Sequence, residues 1–172
     1  MGRTSKVKPV KLIAGFIYLD EEVFKKSKDI LEKKYGRIDF ESQILPFDLT
    51  DYYAEEFGKN LKRSFVSFFK LISPSNLYKI KSFTNALESK LSFKGKRRVN
   101  IDPGYLDLAK VVLATTKDYA HRIYLNKGIF AEASLYFKGG SFIPSQWSYP
   151  DFKKCEYIDI FNSIRELYHK QT

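Results

Sequence analysis

Two polar stretches in the second half of the chain contain the residue types that acid–base chemistry and anion binding require. They supply two carboxylates, two cations and a histidine: Asp102, Glu132, Lys117, Arg122 and His121. Carboxylates and histidine exchange protons, and cations hold phosphates or carboxylates. We therefore predict a polar cleft in which Lys117 and Arg122 bind an anionic small molecule, such as a nucleotide or another phosphorylated ligand. In that cleft, Asp102 or Glu132 is the base or a metal ligand, and His121 transfers a proton.

Each of these residues also has an ordinary structural interpretation. Asp102 precedes Pro-Gly, a pair typical of turns, and Lys117 lies in a segment typical of a solvated loop. His121 is compatible with a packed ring, and Glu132 with an outward-facing strand residue. Polar residues on loops joined to a rigid sheet are favoured site positions and also common turn formers. Both interpretations stay open, and so does the question of whether the chain is an enzyme.

Two short motifs resemble nucleotide-binding elements, but neither has the required spacing. Gly58-Lys59 lacks the earlier glycine of a P-loop, because Tyr53 stands at that position. The Thr-Lys-Asp run at 116–118 lacks the residue that separates Lys from Asp in the guanine-specificity element of GTPases. A phosphate-cradling loop of either kind is therefore not predicted.

The residues do not identify a cofactor or a resident metal. One cysteine, Cys155, and two histidines nearly exclude a zinc site of the Cys/His type. Asp48, Asp51 and Glu55 offer oxygen ligands for Mg²⁺, but the calcium-loop spacing is absent and helix capping explains such residues better. No metal site is predicted.

Hydrophobic periodicity predicts alternating strands and helices in the first part of the chain. Strands are expected near 9–19, 38–44, 61–72 and 98–101, and helices over 21–35 and 74–94. Asp20 suits the N-cap of the first helix, and Gly36 its end. The segment 61–72 also fits a helix face, but its Phe, Val and Ser content favours a strand.

The second part of the chain is predicted to be a series of strands followed by a helix. Segment 105–116 fits a helix or a strand, and we predict a strand over 109–116. Strands are then expected over 121–125, 129–137 and 141–143, with glycine-bearing turns between them that are typical of an antiparallel meander. A final helix is expected over 156–169, with one apolar face.

The predicted fold class is α+β. The opening order β-α-β-β-α-β matches the ferredoxin-like module, and the later strands extend its sheet or form a second one. The length of 172 residues fits a single domain over residues 1–172, which has a ferredoxin-like βαββαβ start, an antiparallel β meander and a C-terminal helix. Residues 1–8 are expected to be a mobile basic tail.

The net charge of +10 is concentrated in two segments. Residues 1–12 contribute four positive charges and residues 90–98 contribute five, without an acidic residue in either segment. A basic balance favours an anionic partner. A nucleic-acid-binding module that acts through these two segments is therefore the alternative to the polar cleft.

The composition also predicts a cytoplasmic location. A lone cysteine cannot form an intramolecular disulfide, which favours a reducing compartment. The apolar run over 12–19 is shorter than a membrane span of about 20 residues, and no small-x-small cleavage site follows it. We therefore expect a buried strand there and no membrane partner.

Six segments spread along the chain form a recognisable set of motifs: Val10-Lys-Leu-Ile-Ala-Gly, Pro46-Phe-Asp-Leu-Thr-Asp-Tyr-Tyr53, Asn100-Ile-Asp-Pro-Gly-Tyr-Leu106, Ala114-Thr-Thr-Lys-Asp118, His121-Arg-Ile-Tyr-Leu125 and Tyr149-Pro-Asp-Phe152. With these motifs the sequence resembles an uncharacterised bacterial family, a domain of unknown function whose members are sometimes labelled "GTP-binding protein". The resemblance covers nearly the whole chain and implies no known activity.

Overall fold

A computed structural model of the chain describes residues 2–48 and 54–172, and in this part a nine-stranded antiparallel sheet carries helices on both faces. In chain order the elements are β1 (Lys11–Tyr18), α1 (Glu21–Tyr35), β2 (Ile38–Glu41), β3 (Leu45–Phe47), α2 (Ala54–Phe57), β4 (Leu61–Phe68), α3 (Leu77–Lys90), β5 (Val99–Leu106), β6 (Lys110–Thr115), β7 (Ile123–Asn126), β8 (Ile129–Lys138), β9 (Ser141–Pro144) and α4 (Cys155–His169). The strand order is β2-β4-β1-β5-β6-β8-β7, while β3 also pairs with β4 and β9 with β8. The α+β class and the C-terminal helix are thus confirmed.

β1 lies inside the sheet and is buried along its whole length. Successive side chains of a strand point to opposite faces. Leu12 and Phe16 therefore pack with α1 and α3 on one face, and Ile13 packs with α4 on the other. Burial on both faces explains why this strand is a continuous apolar run.

α1 begins and ends where its capping residues predict. The Asp20 carboxylate accepts hydrogen bonds from the backbone N–H groups of Glu22 and Val23, at 2.9 and 3.1 Å. At the other end, Gly36 has a φ of +100°, a value that L side chains rarely adopt.

The two segments with ambiguous periodicity form strands. β4 spans Leu61–Phe68, and seven of its eight residues are buried. β6 spans Lys110–Thr115, which removes the helical alternative for 105–116. The glycine turns then join β7 to β8 and β8 to β9 as two antiparallel hairpins.

β5 extends further than the sequence predicts. The expected strand ends at 101, but β5 continues to Leu106, so the Asp102-Pro103-Gly104 run lies within a strand. The turn considered for this run is wrong, because pairing with the neighbouring strands keeps its backbone extended. Pro103 pairs with Ala14 of β1, and Gly104 pairs with Leu113 of β6.

Two further predictions concern the N-terminal segment and the helices: a mobile basic tail over residues 1–8, and no membrane partner. Residues 2–8 are exposed and have no helix or strand. Lys11, which is counted in the basic segment 1–12, is fully buried in β1 and bonded to Asp39 and Gln171. Among the helices of the described ranges, none is both long and apolar enough to cross a membrane.

Candidate functional site

The sheet splits between β5 and β6. In the described residues, β6 pairs with β5 only over Gly104–Leu106, so the first half of β5 has no strand on that side. The backbone groups of Ile101 turn to α3 instead. Its N–H donates to Glu88 Oε1 at 2.7 Å, and its C=O accepts from Lys81 Nζ at 2.9 Å. Two ionisable side chains of a helix thus replace the missing strand.

Pro103 explains where the split begins. Backbone groups of alternate residues in a strand point to the same side. Ile101 directs its N–H toward α3, so the nitrogen of Pro103 faces the same side, and proline has no N–H to donate to β6. The next residue, Gly104, then allows close approach, because a Cβ there would lie 2.3 Å from the Val112 carbonyl oxygen.

A cavity of about 530 Å³ lies at this split and is lined from both sides of the sheet. α3 contributes from one face, and the 3₁₀ turn Pro150–Lys153 contributes from the other. Its cationic residues are Arg63, Lys81, Arg97 and Lys117. Its acidic residues are Glu88, Asp102, Glu132 and Asp151. Its neutral polar residues are Asn85, Asn100, Thr115, Thr116 and Tyr149. Its apolar residues are Ile17, Phe47, Leu113, Ala114, Pro150 and Phe152.

Asp102 lies between two almost buried cations. Its carboxylate oxygens are 3.4 Å from Arg63 Nη1 and 3.4 Å from Lys81 Nζ, and Asn100 Nδ2 donates to it at 2.8 Å. Burial raises the pKa of Asp102, but Lys81, Arg63 and Asn100 outweigh that effect and hold the pKa below its ordinary value. Asp102 is therefore ionised at neutral pH.

Arg63 reaches Asp102 across a glycine. It lies on β4 and Asp102 on β5, with β1 between them, and Gly15 of β1 pairs with Asp102. A Cβ at Gly15 would lie 3.0 Å from Arg63 Nη2. The guanidinium also lies over the ring of Phe65, at 4.6 Å from the ring centroid, which fixes its plane.

A second ion-pair group closes one end of the cavity. Arg97 binds Glu56 with two hydrogen bonds of 2.7 Å and donates to Glu88 Oε2 at 3.0 Å. These bonds lower the pKa of Glu56 and raise that of Arg97. Burial raises the pKa of Glu88, and Lys81 and Arg97 counteract only part of that effect.

Glu132, the lone charge within residues 129–137, is buried rather than outward-facing. One carboxylate oxygen accepts from Arg122 Nε at 2.7 Å and lies 3.2 Å from His121 Nε2. Arg122 Nη2 donates to the Tyr149 hydroxyl at 2.9 Å. The His121 ring stacks on Trp147, with centroids 5.1 Å apart, and its buried Nδ1 has no hydrogen-bond partner among the described residues.

Asp151 is a buried carboxyl that lines the cavity. Burial raises its pKa, and Arg63 lowers it by a smaller amount. The cavity thus contains a carboxyl with a lowered pKa, Asp102, and two with a raised pKa, Glu88 and Asp151. Such a difference is the arrangement found in acid–base pairs.

The structure brings the five predicted site residues into one region. Asp102, Lys117 and Glu132 line the cavity, while His121 and Arg122 are joined to it through Glu132. The outward-facing interpretation of Glu132 is wrong. Whether these five residues act as predicted on a ligand stays a prediction.

Sequence reasoning did not predict several of the polar lining residues, among them Arg63, Lys81, Asn85, Glu88 and Asp151. Three of them had a signal in the sequence. Lys81, Asn85 and Glu88 recur at i, i+4 and i+7, which puts three polar residues on one face of α3, beside its apolar stripe. Arg63 and Asp151 are separated from the other residues in sequence, and only the fold brings them together.

The metal hypothesis finds no support in the described ranges. Within residues 2–48 and 54–172, no group of three or more His, Cys, Asp or Glu side chains could hold a metal ion. Asp48 forms an ion pair with Lys154 at 3.1 Å. Asp51 lies outside the described residues.

Comparison with known proteins gives a family but no activity. The family model described as "Domain of unknown function (DUF4416)" matches residues 8–168. No curated protein and no solved structure matches the chain significantly.

Proposed function

The chain belongs to the DUF4416 family, a domain of unknown function, and we propose that it binds an anionic small molecule in the cavity between β5 and β6. The volume of about 530 Å³ is within the range of small-ligand sites, roughly 300–1,000 Å³. The apolar residues of the lining suit the uncharged part of such a ligand.

The observation that carries this proposal is the geometry of Lys81. Its side chain is 7% exposed, and its ammonium group lines the cavity. It donates to the Ile101 carbonyl at 2.9 Å and has a long contact of 3.4 Å with Asp102. An ammonium group has three N–H bonds, and the third makes no hydrogen bond to the residues that the structure describes. A ligand oxygen would complete its coordination.

Arg63 strengthens the same end of the cavity. Charge-assisted N–H···O bonds are normally about 2.7–2.9 Å long. Asp102 contacts both Arg63 and Lys81 at 3.4 Å, so it balances their charge without forming a close pair with either. An entering phosphate or carboxylate can therefore compete for both cations.

Catalytic turnover stays a prediction. The opposite directions of the pKa shifts of Asp102 and Asp151 support it, because acid–base sites use carboxyls whose surroundings separate their pKa values. The roles predicted for Lys117 and Arg122 in anion binding, and for His121 and Glu132 in proton transfer, belong to the same proposal. For Arg122, its bonds to Glu132 and Tyr149 favour a positioning role.

We also infer that the first part of the chain is a ferredoxin-like unit. The antiparallel order β2-β4-β1-β5, with α1 after β1 and α3 after β4, supports this. On this interpretation the cavity lies where the unit meets the meander, between the last strand of one and the first strand of the other. A cytoplasmic location stays a prediction, supported by the lone Cys155.

Nucleic-acid binding, the alternative proposal, has weaker support. Three of the nine cations that motivate it are engaged within the protein. Lys11 is buried against Asp39, Arg97 binds Glu56 and Glu88, and Arg98 binds Asp20. The interpretation of both segments as uncompensated charge is therefore corrected. The remaining exposed cations are no longer enough to favour this function.

A thermal-shift screen with a matched lysine pair tests the cavity. We expect a nucleotide, sugar phosphate or carboxylate, at about a hundredfold over its Kd, to raise the Tm by roughly 5–10 °C. Lys81→Gln keeps a donor for the Ile101 carbonyl but removes the charge, and we expect it to weaken binding at least about tenfold. Lys79→Gln, an exposed residue of the same helix, is the control.

Circular dichroism and the Tm of the ligand-free variants establish that both are folded. A screen in which no anion stabilises the protein contradicts the proposal. If folded Lys81→Gln and the unaltered protein bind the ligand with equal affinity, then Lys81 and this end of the cavity are not part of the binding site.

A further inference from the structure

Asn85 is the one member of the polar face of α3 whose side chain makes no hydrogen bond to the described residues. Lys81 and Glu88 on either side of it bind the backbone of Ile101. Asn85 lines the same cavity and is only partly exposed. Its amide therefore keeps a donor and an acceptor for a group inside the cavity.

The helical structure of α3 does not explain why residue 85 is an asparagine. Asparagine is among the less favourable residues in a helix interior, because its side chain competes for backbone hydrogen bonds. α3 has no break at this point, and its neighbours Thr84 and Leu87 are packed in the apolar stripe. The amide therefore brings no visible stability to the fold.

We propose that Asn85 selects ligands that carry an amide-type donor–acceptor edge about one helical turn from their anionic group. This inference rests on the proposed function, in which Lys81 binds the anion. Residues at i and i+4 have Cβ atoms about 5–6 Å apart on one helix face. An Asn amide pairs with a complementary donor and acceptor on one planar edge through two hydrogen bonds.

The ligand class follows from these two neighbours. It is an acid that bears a primary amide, or a ring with an amide-like edge, at the far end of a short apolar spacer. Leu113 and Ala114 line the same cavity and suit the spacer. A dianion with a second carboxylate in place of the amide loses the donor that the Asn85 oxygen needs, and an alkyl end loses both hydrogen bonds.

Two probes of equal length isolate the amide edge. Glutaramate and pentanoate share a carboxylate and a three-carbon spacer. Glutaramate ends in a primary amide, whereas pentanoate ends in a methyl group. NMR titration of the full chain is expected to give a Kd for glutaramate about five- to thirtyfold lower than that for pentanoate, the worth of one to two hydrogen bonds. Asn85→Ala should weaken glutaramate binding more than pentanoate binding and bring the two Kd values within about twofold.

Asn85→Gln, which keeps an amide, should retain part of the discrimination, and Asn76→Ala just before α3 is the matched control. Equal Kd values of the two probes in the unaltered protein overturn this inference. So does failure of glutaramate to bind a protein that other anions stabilise through Lys81. In both cases the proposed function stands, whereas absence of any Lys81-dependent anion binding removes both.

Discussion

At the residue scale, the site depends on side chains that each contact two other groups. The Asp102 carboxylate balances the positive charges of Arg63 on β4 and Lys81 on α3. Lys81 also donates a hydrogen bond to the Ile101 carbonyl of β5. A cation so placed serves the fold and still faces the cavity. The same carboxylate that orders the two cations also sets how strongly they attract an anion.

Asp102→Asn should destabilise the protein in a pH-dependent manner. The folded pKa of Asp102 is lower than in the unfolded chain, about 3.9, so its stabilising effect is present at neutral pH and is lost as the pH falls through the folded pKa. Its side chain is 27% exposed, so we expect a loss of about 2 kcal/mol at pH 7, less than for a fully buried pair.

Urea unfolding at pH 7 and pH 3 measures this effect. The difference between Asp102→Asn and the unaltered protein should be smaller at pH 3, because the Asp102 carboxyl of the unfolded chain is then largely protonated and the stabilising effect is declining. Asp118→Asn, at an exposed position, should change stability little at either pH. A difference of the same size at both pH values would contradict the role assigned to the Asp102 charge.

At the element scale, the split between β5 and β6 makes the cavity. Pro103 withholds a donor from β6, and Gly104 lets the strands come together directly after it. α3 then fills the open edge with Lys81 and Glu88. Three consecutive residues of β5 thus shape the cavity. Asp102 supplies a carboxylate, Pro103 marks the gap between β5 and β6, and Gly104 marks where the two strands pair.

Gly104→Ala should destabilise the protein by about 3 kcal/mol, because the new Cβ would meet the Val112 carbonyl oxygen at 2.3 Å and the backbones would have to separate. Gly15→Ala should cost less, since the atoms it meets at 3.0 Å belong to the Arg63 and Phe65 side chains, which can move. Thermal unfolding compares the two variants. A Gly104→Ala protein as stable as the unaltered one would contradict the close approach of β5 and β6.

At the scale of the whole molecule, the net charge of +10 overstates the cationic surface. Lys11 lies in the centre of the sheet, and Arg97 and Arg98 form ion pairs with residues from other elements. Part of the basic composition therefore serves the fold and the cavity. The exposed N-terminal residues retain their charge, but they form no helix or strand that would give a shaped surface.

Arg97→Gln distinguishes a structural charge from a nucleic-acid contact. It leaves Glu88 buried without its arginine and removes the two bonds to Glu56, so we expect a loss of about 2–3 kcal/mol in the free energy of unfolding. RNA affinity at fixed salt should change less than about threefold. Lys96→Gln, an exposed residue with the same charge change, should leave stability unaltered.

The alternative function predicts the opposite pattern for this pair of variants. Equal and large losses of RNA affinity in Arg97→Gln and Lys96→Gln, with a salt dependence reduced by about one phosphate contact each, would favour it. Unfolding in urea and RNA titration at several salt concentrations supply both measurements.

Local chemistry made much of the secondary structure predictable. Asp20 and Gly36 bound α1 because a side-chain oxygen and a positive φ act within a few residues. The glycine turns of the meander and the apolar face of α4 are local in the same way. The predicted length of β5 was wrong because Asp-Pro-Gly forms turns by its own preference, and only pairing with β1 and β6 keeps it extended.

The sequence by itself determined the family, the α+β class and most helix and strand positions. Those properties depend on side-chain types and spacings within one element or turn. The tertiary structure alone decided that Arg63, Lys81 and Asp151 meet Asp102, Lys117 and Glu132 at one cavity, since Arg63 comes from a strand, Lys81 from a helix and Asp151 from a turn. It also decided where the cavity lies, because a gap between two strands is a property of their pairing and not of either strand alone.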